Sequence, residues 1–170
     1  MKKFKGFTLI ELLIVIALLG ALAVGLLAAL DPFEQLKKGT DTGVRNTVSE
    51  VQGAVIRFYG IKNEMPWCNA TGSCTDPSAT ALSSTNGYAI LSNIVATGEL
   101  KSDFTTLAGT GTLGKISVTG SNDGAKVVVC YKPTSKSFAA DPNTKFHGDG
   151  TSNAACPSGD PATACYWCVE

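Results

Sequence analysis

Two hydrophobic patterns divide the chain. From Phe7 to Leu30 nearly every position is apolar, with Thr8 and Glu11 as the polar exceptions. At about 1.5 Å per residue, a helix over this run covers roughly 36 Å, enough to cross a bilayer core. Being apolar on every side, it must be buried in lipid or in protein. Further on, Val44, Val48, Val51, Val55 and Phe58 recur at steps of three or four, preceded by Leu36, while Arg45, Glu50, Gln52 and Arg57 fall elsewhere on the wheel. That period predicts an amphipathic helix with a stop at Gly60. Between the two patterns, Asp31-Pro32-Phe33-Glu34 offers an N-cap, a proline suited to the first helical position and a capping-box spacing. A helix break near Leu30, at Pro32, is therefore expected.

The rest of the chain alternates and turns. Met65 to Ser84 reads as a loop, with Pro66, Asn69, Gly72, Pro77 and many hydroxyl residues. Tyr88 through Val95 predicts a short helix ending near Gly98. Lys115 to Gly120 and Ala125 to Tyr131 predict two strands joined at Ser121-Asn122-Asp123-Gly124, and a third strand is expected over Ser137 to Ala140. The class is α+β. The expected divisions are residues 1–6, 7–30, 31–60 and a globular head over 61–170.

Charge and cysteine usage narrow the setting. Fourteen basic residues balance fourteen acidic ones, but Lys2, Lys3 and Lys5 sit in the opening six positions. Ahead of an apolar helix they favour a cytoplasmic N-terminus and an exported remainder. Without them the chain is acidic, so no nucleic-acid partner is indicated. All six cysteines, Cys68, Cys74, Cys130, Cys156, Cys165 and Cys168, lie beyond the apolar run. An even count there points to disulfides in an oxidising compartment. Cys68 with Cys74 is favoured because their loop is short.

Glu11 separates this segment from an ordinary signal peptide, which would carry a shorter apolar region and a small-residue cleavage site of the kind Ala21–Ala29 could imitate. A carboxylate at a membrane-helix centre costs about 2.5–3.5 kcal/mol, less near an end. Neither a signal peptide nor a plain anchor has use for it. Cleavage between Gly6 and Phe7 would supply a partner: a new α-amine one turn before Glu11, on the same chain or a neighbour.

Gly6-Phe7-Thr8-Leu9-Ile10-Glu11-Leu12-Leu13, behind a short lysine-rich leader, resembles the processing site of type IV prepilins and the related pseudopilins. The resemblance implies cleavage after Gly6, N-methylation of Phe7 and a role for Glu11 in assembly. It implies the type IV pilin fold, a long N-terminal helix packed on a small antiparallel sheet with a disulfide-bearing C-terminal tail. In that family a disulfide often fastens the tail to the sheet, so Cys165 or Cys168 is expected to meet Cys130. The implied partners are further copies of the chain in a helical homopolymer, a prepilin peptidase, an assembly platform protein and its ATPase, with the membrane holding the precursor. The implied location is the cytoplasmic membrane, then a cell-surface filament. A pseudopilin of type II secretion, a minor pilin and a non-polymerising membrane-anchored binding module remain as alternatives.

Other chemistry has little support. Cys165-Tyr166-Trp167-Cys168 has the spacing of a redox or zinc site, but too little chain follows for the helix that activates a redox cysteine. Asp141-Pro142-Asn143 and His147-Gly148-Asp149-Gly150 are oxygen-rich turns without EF-hand spacing. His147 is the single histidine and no nucleophile motif accompanies it. Asn69-Ala70-Thr71 matches an N-glycan acceptor, but bacteria rarely modify asparagine, and a polar turn between Cys68 and Cys74 is the favoured reading. No enzyme activity, cofactor or metal is expected.

Overall fold

The computed structural model describes residues 6–29, 31–69 and 71–170. Residues 1–5 of the expected leader, Leu30 at the expected break and Ala70 lie outside the described residues. The chain forms two compact units, divided between Leu36 and Lys37.

The first unit holds α1 (Leu9–Ala29) and the opening of α2 (Pro32–Lys62). Every α1 side chain through Leu27 is exposed. At the start of α2, Asp31 Oδ1 accepts hydrogen bonds from the backbone N–H of Phe33 (3.1 Å) and Glu34 (3.3 Å). Pro32 takes the first helical position, where a missing N–H costs nothing.

The second unit is built on the remainder of α2. Val44, Val48, Val51, Ala54, Val55 and Phe58 form its buried stripe. Leu36, assigned to that stripe from its spacing, is instead 70% exposed. The helix also passes Gly60 and ends at Lys62, where Asn63 takes the left-handed conformation (φ 55°) that closes many helices. A four-stranded antiparallel sheet packs on the stripe, in the order β1 (Thr80–Ala81), β2 (Ile116–Ser121), β3 (Lys126–Tyr131), β4 (Trp167–Val169). The β2–β3 hairpin pairs Ser121 with Lys126 around the Asn-Asp-Gly turn. β3 is central, and its continuous apolar run reflects burial on both faces. Val127, Val129 and Tyr131 join the core with α2 and with α3 (Thr85–Ala96). Val128 faces the other way, so close to Gly150 that a Cβ there would come within 2.6 Å of a Val128 methyl.

Three elements differ from the sequence pattern. Ser137 to Ala140 forms a helical turn, α6 (Lys136–Ala139), not a strand. Ser135 caps it, its Oγ accepting the Phe138 N–H, and Ser135 itself is anchored to Asp41 of α2. The strand beside β3 comes instead from Trp167–Val169, inside the CxxC segment. The segment expected as an uninterrupted loop contributes β1, and two further short helices, α4 (Phe104–Ala108) and α5 (Thr110–Leu113), precede β2. The architecture is the α+β arrangement that the resemblance implies: N-terminal helix, small antiparallel sheet, disulfide-bearing C-terminal region.

Candidate functional site

Gly6, Phe7 and Thr8 lie outside the helix, and α1 begins at Leu9. Phe7 is 84% exposed. A Cβ built on Gly6 would meet nothing within 4 Å, so the glycine answers no packing need of this chain.

Thr8 and Glu11 start the helix together. Glu11 Oε2 accepts the Thr8 N–H (2.9 Å) and the Thr8 Oγ1–H (2.8 Å), while Thr8 Oγ1 accepts the Glu11 N–H (3.3 Å). This is a capping box, in which residues at N-cap and N3 satisfy each other's backbone donors. It turns the carboxylate back toward the chain's N-terminal end. The sequence analysis notes Thr8 as a polar exception and part of the motif but not as a cap, although the T-x-x-E spacing signals that role directly.

The C-terminal part of the head is held by polar contacts to α2. Asp41 is wholly buried and accepts hydrogen bonds from Thr134 N–H and Oγ1–H and from Ser135 N–H and Oγ–H, at 2.7–3.1 Å. One turn later Arg45 bonds Tyr131 Oη through Nε (3.0 Å) and Asp141 Oδ2 through Nη2 (2.7 Å). Its guanidinium sits 4.1 Å from the Phe138 ring centroid and 4.7 Å from that of Trp167. Burial pushes the Tyr131 phenol up to about 12, against the opposing pull of Arg45. Burial also works against the Asp141 carboxylate, but Arg45 and the Asn143 N–H outweigh it and hold Asp141 below its usual range.

The cysteines pair as Cys68–Cys74, Cys130–Cys168 and Cys156–Cys165. Cys165 and Cys168 thus belong to different bridges, and of the two only Cys168 meets Cys130. β4 explains the choice, since its register sets Cys168 directly opposite Cys130. Among the described residues no three His, Cys, Asp or Glu side chains are grouped to hold a metal ion. His147 sits in a turn, its N–H donating to the Thr151 carbonyl.

Residues 1–27 match the prokaryotic N-terminal methylation motif. This is a type IV prepilin-like leader. The match embraces Gly6, Phe7, Thr8 and Glu11, of which the helix start brings Thr8 and Glu11 together. No curated protein and no solved structure matches the chain. A leader of this type is a feature of pilin-like and pseudopilin-like proteins, a structural kind, and the match covers the leader and most of α1. Its motif implies processing by a prepilin peptidase and engagement with membrane assembly machinery. The apolar Leu9–Leu27 segment, long enough to cross a membrane, fits an anchored precursor.

Proposed function

We propose that this chain is the subunit of a surface type IV pilus: held in the cytoplasmic membrane, cut between Gly6 and Phe7, N-methylated on Phe7, and polymerised through α1. The observation that carries this reading is the pairing of the methylation motif with a helix whose apolar side chains are exposed all round. Such a surface needs cover at every stage, from lipid before assembly and from neighbouring α1 helices afterwards. In a filament centre, the Glu11 carboxylate would meet the freed amine of an adjacent Phe7. The charge pair would offset the cost of burying either group alone. A platform protein and an ATPase would drive extraction from the bilayer.

Peptide-resolved mass measurement on filaments sheared from the cell surface tests the reading. An N-terminal peptide that begins at methylated Phe7 supports it. A processed chain found only in the envelope replaces the surface pilus with a pseudopilin or minor pilin. An uncut chain reduces α1 to a simple anchor.

A further inference from the structure

Ile116 and Val118 of β2 turn into the core, so Ser117 between them turns to the outer face of the sheet. There its Oγ–H donates to the Gly148 carbonyl (3.0 Å) of the C-terminal segment. Tyr166 closes on the same glycine, where an added Cβ would come within 3.3 Å of its ring. A cavity of about 610 Å³ lies between β1, the start of β2, the end of β3 and this segment. Much of its wall is methyl groups and proline rings: Ala79, Ala81, Pro133, Pro161 and Ala162.

Two half-buried lysines share that wall. Lys115 directly precedes β2 and Lys132 directly follows β3. Continuing the register that pairs Ile116 with Tyr131 sets them opposite each other. Like charges so placed repel, and cross-strand pairs ordinarily answer one sign with the other. Here no lining residue is acidic, although acids outnumber bases beyond the opening six positions. Lys132 Nζ donates to the Ala162 carbonyl (3.2 Å), which holds the ammonium group at the wall. The Lys115 side chain has no hydrogen bond or ion pair among the described residues. Neighbouring acids do not serve either lysine. Asp160 Oδ1 accepts the Ala162 N–H (2.9 Å), and Asp41, behind Thr134, is filled by Thr134 and Ser135.

A cavity of this size, largely apolar with a few placed polar groups, is of the kind that holds small molecules. Its charges select an anion, and its methyl-lined remainder selects an apolar body over a fully hydrated ion. No arginine lines it to offer a phosphate the planar fork that such groups favour.

We propose that this cavity binds a small organic carboxylate with an apolar body, its charged end between Lys115 and Lys132 and its body along the Ala81–Pro161 wall. The bound anion neutralises a like-charge pair that the fold leaves unanswered, and its body removes apolar surface from water. The site asks only that the head be folded, so its failure would leave the filament reading standing.

The test is equilibrium dialysis of octanoate against the full chain in lipid nanodiscs, with empty nanodiscs subtracted. Saturable binding at one site per chain is expected. Octanamide, of the same length but neutral, should bind about tenfold more weakly or less, and so should acetate, which lacks the body. Lys115→Met and Lys132→Met should each weaken octanoate about tenfold, since each removes a charge-assisted contact. Lys115→Arg together with Lys132→Arg keeps both charges and should retain binding. An unchanged unfolding midpoint and an intact Cys130–Cys168 linkage verify that each variant has folded. No saturable octanoate binding overturns the site. Equal binding of octanamide reduces it to an unselective apolar hollow and overturns the carboxylate. Full octanoate binding by both folded methionine variants places the ligand elsewhere and also overturns it.

Discussion

Both hydrogen bonds from Thr8 to Glu11, one from the N–H and one from the hydroxyl, converge on a single carboxylate oxygen, Oε2. Glu11 therefore carries two separable functions, a helix cap and a charge. Glutamine preserves the first and removes the second, since a capping box accepts either residue. Glu11→Gln is expected to leave cleavage at Gly6 intact and abolish sheared filaments. Thr8→Ala should weaken the helix start by about 1 kcal/mol while filaments still form. Abundant filaments from Glu11→Gln, counted by electron microscopy, would remove the charge from the assembly mechanism.

Asp41 joins α2 to a segment more than ninety positions along the chain. Asp41→Ala strands two backbone donors and two hydroxyls of Thr134 and Ser135 in a buried site. A loss of about 3–5 kcal/mol is expected, because buried donors without an acceptor keep their full desolvation cost. Urea unfolding in detergent would measure it, and a loss below 1 kcal/mol would show that the site admits water or relaxes.

Cys130 and Cys168 are 38 positions apart, Cys68 and Cys74 only 6. Chain entropy alone makes the longer bridge worth about 4 kcal/mol and the shorter about 2 kcal/mol. Replacing Cys130 and Cys168 together by alanine should lower the unfolding midpoint more than replacing Cys68 and Cys74. The reverse order would mean that β4 stays docked without its bridge.

Asp141 and Tyr131 set opposite pH limbs on the same arginine. The Asp141 carboxyl is depressed by folding, so its contribution is present above the ordinary carboxylate range and is lost as pH falls through the folded value. Tyr131 is raised by burial, to about 12. Its neutral phenol thus contributes fully below the ordinary value near 10, and that contribution fades as pH rises toward 12. Thermal unfolding followed across pH should show Asp141→Asn flattening the acid limb and Tyr131→Phe the alkaline one. Unchanged limbs would show that other groups control them.

Contiguous features were legible because neighbouring residues determine them. The processing motif, the apolar run, the Asp31-Pro32 restart, the valine stripe of α2 and the Asn-Asp-Gly hairpin each depend on residues within a few positions of one another. Thr8 belonged to this group too, since its capping partner lies three residues away. By contrast, β4 is three residues long and gains strand geometry only from pairing with β3, so its sequence reads as a CxxC. Ser137 to Ala140 has strand-like composition but turns into α6 because Asp41, far away in sequence, holds its cap.

From its residues alone, the chain was legible as an α+β protein with a prepilin-like start and an apolar helix long enough to cross a membrane. Those features follow from the cost of placing apolar, charged or turn-forming groups in a given local setting. Tertiary structure decided which cysteine faces Cys130, that Asp41 is buried and Arg45 is clasped between two rings, and that Asn69 meets Thr71 through its side-chain oxygen. The physical reason is distance along the chain. Local preferences act over one or two turns, whereas these contacts exist only once β3, β4 and α2 have packed and selected one register among many.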